Sequence, residues 1–272
     1  MPVIITPPTG SPGAKSATSV TALSDLLGRL DPDPFRRGKQ FEHICKWFLK
    51  HDPVYSQELR DVWLWDEWPG RWGIDAGIDL VAEDDRGHLW AIQCKAYAAA
   101  ESVTKRDVNK FLSESGRPQF AFRLLIATTN LVDPIARRTI EGQEKPASIL
   151  DLAGLEAALV EWPTAPSDLR ARRLPPKRPQ PHQRQAINKV VKGFEQADRG
   201  QLIMACGTGK TLTALFLKEK LKAERALLLV PSLSLLAQTM REWAANRTVE
   251  FETLAVCSDE TVADPDAAVA NT

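Results

Sequence analysis

A carboxylate, a carboxamide and an ammonium lie close together in one short stretch of this chain. Asp79 sits in Gly77-Ile78-Asp79-Leu80, and Gln93 and Lys95 sit in Gln93-Cys94-Lys95. Residues 78–82 are short, apolar and β-branched, 83–87 make an acidic turn ending in Gly87, and 89–94 are a second apolar run rich in strand formers. That order predicts a β-hairpin. Residues two apart on a strand point to the same side, so Gln93 and Lys95 share a face and Cys94 points away into the core. Asp79 on the first strand then faces them across the hairpin. A carboxylate and an amide oxygen on one sheet edge can hold a hard divalent cation such as Mg2+, and an ammonium beside them can help activate a water. Asp75, just ahead of the motif, is a second carboxylate that can assist the metal or only cap the turn.

A second chemical stretch is Ala205-Cys206-Gly207-Thr208-Gly209-Lys210-Thr211. It follows a short apolar strand at 201–204 and opens a helix that runs to about residue 222. Strand, glycine-rich loop and helix in that order read as a phosphate-binding loop. The glycines let backbone N–H groups point at phosphate oxygens, Lys210 neutralises the β- and γ-phosphates, and Thr211 can ligate Mg2+. ATP is therefore an expected cofactor alongside Mg2+.

The elements that must position these residues can be read in order. Residues 20–30 carry Leu23, Leu26, Leu27 and Leu30 at helical spacing, closed by Asp-Pro-Asp-Pro. A second helix over 37–50 has Phe41, Ile44, Cys45, Phe48 and Leu49 as its buried stripe and carries Glu42. Residues 55–65 read as a first strand. Residues 104–115 read as a helix, with Thr104 as N-cap, Asp107 three residues on and Gly116 at the end. Residues 120–129 form a near-continuous apolar strand, and further helices span 133–141 and 153–160. In the C-terminal third, helices are expected over 183–196 and up to about Trp243, and strands over 226–230 and 248–257.

Bulk composition bounds the classes. The 272 residues suggest two domains, and 43% hydrophobic with 26% charged residues is the balance of a globular protein. Net charge is zero, so any nucleic-acid surface must come from local patches. Cys45, Cys94, Cys206 and Cys257 show no zinc or disulfide spacing and read as free thiols in a reducing cytoplasm. Residues 1–13 lack the basic and apolar regions of a signal peptide, and no membrane span follows.

The Asp…Gln-x-Lys pattern and its Gly-x-Asp-Leu lead-in resemble the PD-(D/E)xK nuclease fold, specifically its Mrr-like branch, in which Gln takes the second acidic position. The resemblance implies a metal-dependent nuclease built on Asp79, Gln93 and Lys95. It directs Glu42, in Phe41-Glu42, at the metal; the residues alone leave a solvated or capping Glu42 equally open. The phosphate loop departs from the general pattern at Met204 but resembles the superfamily 2 helicase version, Ala-x-Gly-x-Gly-Lys-Thr. That likeness implies an adenine-reading role for Gln183 and a DNA-backbone loop at Pro231-Ser232.

Nuclease and helicase motifs in one chain resemble the type ISP restriction–modification enzymes. The expected fold is α/β: an Mrr-like restriction-endonuclease fold, a mixed sheet flanked by helices, followed by a partial RecA-like P-loop lobe. The expected organisation is a flexible tail (1–19), a nuclease domain (20–162), a basic proline-rich linker (163–181), a partial helicase domain (182–257) and a disordered tail (258–272). After Cys257 the sequence holds no Walker B carboxylate pair, second lobe or arginine finger. An N-terminal part of a larger polypeptide is thus expected, lacking the C-terminal helicase, methyltransferase and target-recognition parts. Double-stranded DNA is the implied partner. Two alternatives stand beside cleavage: a DNA-binding module of a remodelling helicase, and an inactive truncated fragment.

Overall fold

A computed structural model describes residues 3–5, 17–73, 77–98, 100–170 and 174–256. In chain order the elements begin with β1 (Val3–Ile5), α1 (Ala17–Gly28), α2 (Pro34–His51), α3 (Tyr55–Glu58), β2 (Leu59–Leu64), β3 (Leu80–Asp84) and β4 (Leu89–Lys95). There follow α4 (Lys105–Ser115), β5 (Phe120–Ala127), α5 (Pro134–Glu141), β6 (Ala147–Leu150) and α6 (Leu152–Ala157). The last are α7 (Pro181–Gly193), β7 (Leu202–Met204), α8 (Lys210–Lys220) and α9 (Leu233–Asn246). The chain divides into two compact units, one built mainly on residues 18–174 and one on 175–254 together with 1–17.

The first unit is a five-stranded sheet in the order β2-β3-β4-β5-β6. The β2–β3 and β3–β4 pairs are antiparallel, and β4–β5 and β5–β6 are parallel. The hairpin forms because Asp84 organises its turn. Oδ1 of Asp84 accepts the N–H groups of Arg86 and His88 at 2.9 and 2.8 Å, and Gly87 takes a φ of +82° that favours glycine. The parallel half needs crossovers, which α4 and α5 supply.

Both faces of the sheet are covered, which explains why β5 is apolar apart from the buried Arg123. One face packs Leu80, Ala82, Ile92 and Cys94 with Leu23 and Leu26 of α1 and the Phe41, Ile44, Cys45 and Phe48 stripe of α2. The other packs Val81, Ala91, Leu125 and Ala127 with Val108 and Phe111 of α4 and Ala136 and Ile140 of α5. Helix α2 starts where Asp33 accepts the Arg36 N–H at 3.0 Å and Pro34 enters the first turn. Phe41 is almost fully buried, and truncating it to Ala would cost about 3–5 kcal/mol.

The structure differs from the sequence reading at several places. Residues 55–58 form one helical turn, so the first strand starts only at Leu59. Of the expected tail, residues 3–5 pair in parallel with β7, and residues 17–19 already belong to α1. The first part of the expected linker is tied down within its own unit. Arg29 Nη1 donates to the Thr164 carbonyl at 2.8 Å, and Trp47 Nε1 donates to the Arg170 carbonyl at 3.2 Å.

In the second unit, α7 and α9 pack on α8, and β1 and β7 form a two-stranded parallel pair. The runs 226–230 and 249–254 carry strand-forming residues but stand outside any sheet, with Leu227, Leu229 and Leu254 more than four-fifths exposed. Strand propensity is a disposition to pair, and a strand exists only against a neighbour. The segment expected to be disordered, 258–272, lies outside the described residues. Among the described residues no helix is long and apolar enough to cross a membrane.

Candidate active site and phosphate loop

Asp79 stands immediately before β3 and is fixed through its backbone from both sides. Its N–H donates to the Ile92 carbonyl at 2.9 Å, and its carbonyl accepts the Trp65 N–H at 2.8 Å. Its carboxylate Oδ2 accepts the backbone N–H of Cys94 at 2.7 Å. That amide lies between Gln93 and Lys95, so the carboxylate reaches the strand where the other two residues emerge.

Gln93 is buried in β4, and its Nε2 donates to the Gly77 carbonyl at 2.9 Å. Its Oε1 is buried with no hydrogen-bond partner among the described residues. A buried amide oxygen left unpaired costs about 1–3 kcal/mol, so it is an acceptor in want of a ligand. Lys95 ends β4 half-buried, with Nζ 3.8 Å from Oδ1 of Asp107 on α4. It is therefore not turned into the apolar interior.

Glu42 projects from α2 and is largely buried. Its carboxylate takes the Lys39 ammonium at 2.8 Å. Burial pushes the Glu42 carboxyl up; the Lys39 hydrogen bond opposes this, and the negative charges of Asp79 and Asp66 add to it. Burial works against the Lys39 ammonium in turn, but its bond to Glu42 and the charges of Glu42, Asp79 and Asp66 hold its pKa above the ordinary value. Beneath them, burial raises the thiols of Cys45 and Cys94, so both stay protonated and unreactive. Asp75 lies outside the described residues.

These donors fit a hard divalent cation: the amide oxygen of Gln93 is on β4, the carboxylate of Asp79 stands just ahead of β3 and bonds the next amide of β4, and Glu42 is within electrostatic reach of Asp79. Among the described residues no group of three or more His, Cys, Asp or Glu gathers into a metal cluster. A site in which an amide stands for a carboxylate carries fewer anionic donors than such a cluster.

The second unit brings the phosphate loop together locally. Gly207 and Gly209 both have φ of +76°, and Gly209 is the left-handed residue at the start of α8. A Cβ on Gly209 would lie 2.6 Å from Gln183 Nε2. Thr208 Oγ1 donates to the Ala205 carbonyl at 2.7 Å, and Lys210 Nζ donates to the same carbonyl at 3.2 Å. Cys206 is exposed, and the Thr211 carbonyl accepts Trp243 Nε1 of α9 at 2.9 Å.

Gln183, expected to read adenine, is buried and uses both ends of its carboxamide nearby. Oε1 accepts the Gln180 N–H at 2.8 Å, and Nε2 donates to the Thr208 and Gly209 carbonyls at 3.3 and 3.1 Å. Sequence reasoning missed Lys39, Asp107 in its contact with Lys95, and Trp243. Only Lys39 left a signal, its spacing of three residues from Glu42 on one helix.

Residues 50–170 match an Mrr-type catalytic family described as restriction endonuclease, and residues 176–266 match the family of the res subunit of type III restriction enzymes. A protein of Acanthamoeba polyphaga mimivirus, named as an ATP-dependent RNA helicase, is 36% identical over 70 residues, which is 26% of this chain and 13% of that protein. Among solved structures, the ATP-dependent type ISP restriction–modification enzyme LlaBIII bound to DNA superposes with a TM-score of 0.68 at 32% identity, over 82% of this chain and 15% of that one. The chain thus spans about an eighth to a seventh of the length of these relatives. A match to an Mrr-type restriction-endonuclease family followed by a match to the res-subunit family is the arrangement in which this chain is similar to the type ISP restriction–modification enzyme.

Proposed function

We propose that the first unit is a Mg2+-dependent DNA endonuclease and that the second is the start of an ATP-driven DNA translocase. The observation that carries the nuclease reading is the buried Oε1 of Gln93, unpartnered among the described residues, on the strand whose Cys94 amide is capped by Asp79. Asp79 and Gln93 would hold Mg2+, with Glu42 and Asp75 as further carboxylates. Bound there, the cation supplies Lewis-acid activation of the phosphodiester and a more acidic water. Lys95 orients the attacking water and offsets charge that builds on the scissile phosphate. The substrate is double-stranded DNA, and the type ISP relative's title, which records that protein bound to DNA, supports a DNA partner.

In the second unit Lys210 and the loop amides take the ATP phosphates, and Thr211 contributes to the accompanying Mg2+. Coupling to methyltransferase and target-recognition parts, and a cytoplasmic setting, belong to the same reading. A supercoiled-plasmid nicking assay on the full-length protein, with Mg2+ and with Mn2+, tests it. Asp79→Ala and Lys95→Ala should abolish nicking and leave ATP turnover intact; nicking by Asp79→Ala at the wild-type rate would overturn it. One observation favours a rival. The Glu42–Lys39 pair already neutralises a carboxylate that a metal would use, so a unit that binds DNA without cutting predicts no metal-dependent nicking at all.

A further inference from the structure

Lys95 closes β4, on which Gln93 and Lys95 lie two apart and lean to one side, and Tyr97 follows two residues beyond the strand's end. Opposite them stands the first turn of α4, capped by Thr104. Its capping box is reciprocal: the Thr104 hydroxyl accepts the Asp107 N–H at 3.3 Å, and Asp107 Oδ2 accepts the Thr104 N–H at 3.1 Å. A box needs no more than this from its carboxylate.

Asp107 does more. The same Oδ2 also accepts the Thr104 hydroxyl at 2.6 Å and the Tyr97 hydroxyl at 3.0 Å. Three donors therefore converge on one oxygen and leave the other, Oδ1, facing Lys95 Nζ at 3.8 Å. The two side chains are 30% and 25% exposed, so this pair is only partly screened by water. A lysine on a flexible four-carbon stem is a poorly placed charge unless something fixed opposes it, and Asp107 is fixed by its three donors.

We infer that Asp107 is the positioning residue for Lys95, with Tyr97 and Thr104 locking its carboxylate so that one oxygen is reserved for the ammonium. This rests on the reading of Lys95 as the lysine of the nuclease centre. Burial acts against the Asp107 charge, but the Thr104 and Tyr97 hydrogen bonds and the Lys95 charge outweigh it, so the anchor stays ionised. Burial and the adjacent Asp107 hold the Tyr97 phenol far above its ordinary pKa, so it remains a donor. Small errors in the placement of a reacting group cost large factors in rate, and an anchored lysine avoids them.

The test uses the full-length protein, a plasmid substrate with Mg2+, and four variants. Asp107→Asn keeps the shape of the cap and removes the charge; kcat should fall about tenfold with KM for DNA unchanged. Asp107→Glu should recover most of that loss. Tyr97→Phe removes one donor to Oδ2 and should lower kcat about two- to threefold. Asp133→Ala removes the cap of the neighbouring α5, where Oδ1 accepts the Ile135 and Ala136 N–H groups at 2.7 and 3.1 Å. It should lower the melting temperature comparably and leave kcat alone.

Wild-type kcat in both Asp107→Asn and Tyr97→Phe, or equal losses of kcat in Asp107→Asn and Asp133→Ala, would overturn the inference. Lys95→Ala, run alongside, separates the two levels of argument. If it is inactive while Asp107→Asn is fully active, only the anchoring fails. If it cuts normally, the reading of the nuclease centre fails and the anchoring falls with it.

Discussion

The Gln93 carboxamide donates to the Gly77 carbonyl at 2.9 Å, and this one bond decides which way its oxygen faces. With the nitrogen committed, Oε1 is left buried and unpaired beside the strand that Asp79 caps.

Gln93→Glu converts that donor into an acceptor. Without metal, a carboxylate oxygen then opposes the Gly77 carbonyl, and the variant should lose about 1–3 kcal/mol of stability. The added charge beside Asp79 should also tighten Mg2+ binding. Thermal unfolding with and without Mg2+ reads both effects: the ion should raise the melting temperature of Gln93→Glu more than that of the wild type. An equal shift in the two proteins would place Gln93 away from any metal.

Lys39→Met removes the counter-ion of Glu42. The Glu42 carboxyl already stands above its ordinary range, through burial and the fields of Asp79 and Asp66 set against Lys39. A folded pKa above the unfolded one means that the folded chain holds the proton more tightly. Stability from this group is therefore full below the ordinary carboxylate pKa and is lost as pH rises through the folded value. Losing the ammonium pushes that value higher still. Lys39 is more than half exposed, so a penalty of about 1–2 kcal/mol is expected at slightly alkaline pH, shrinking toward zero in acid. Chemical denaturation across pH checks it; a penalty independent of pH would show that Glu42 is not the group responding.

Gly209→Ala should empty the phosphate loop. The residue sits at a φ of +76°, and its new Cβ would meet Gln183 Nε2 at 2.6 Å. Left-handed strain for a non-glycine residue costs about 1–3 kcal/mol, and the clash adds to it. Binding of a fluorescent ATP analogue should be lost while the nuclease unit keeps its own unfolding transition. Retention of wild-type affinity would count against a nucleotide site at 205–211.

Gln183→Ala separates two roles for one side chain. If the carboxamide only braces the loop through Thr208 and Gly209, ATP and GTP binding should fall together, by about tenfold for roughly 1.4 kcal/mol. If it reads the base, ATP alone should weaken. Competition of the two nucleotides against the same fluorescent analogue gives the answer.

Much of this was legible beforehand where the signal is local. The 80–95 hairpin follows from β-branched runs and a glycine turn. The Thr104–Asp107 box is written in two residues, and the glycines at 207 and 209 announce left-handed backbone. What stayed hidden depends on the third dimension. No spacing rule brings Asp107 to Lys95 across twelve residues. Residues 55–58 have no strong preference and turn into a helix because Asp52 Oδ1 accepts the Val54 and Tyr55 N–H groups at 2.9 and 3.2 Å. Residues 226–230 read as a strand because their apolar character is real, yet pairing is a property of two segments and one sequence run cannot supply it.

The bond from Trp243 to the Thr211 carbonyl has a mechanical meaning. It pins the far end of α9 to the first turn of α8, while the near end of α9 begins at Ser232, which caps it. Fourteen helical residues make a strut of about 21 Å. The first turn of α8 and the Pro231-Ser232 turn are thereby tied to the two ends of one helix, so the placing of one is linked to the placing of the other.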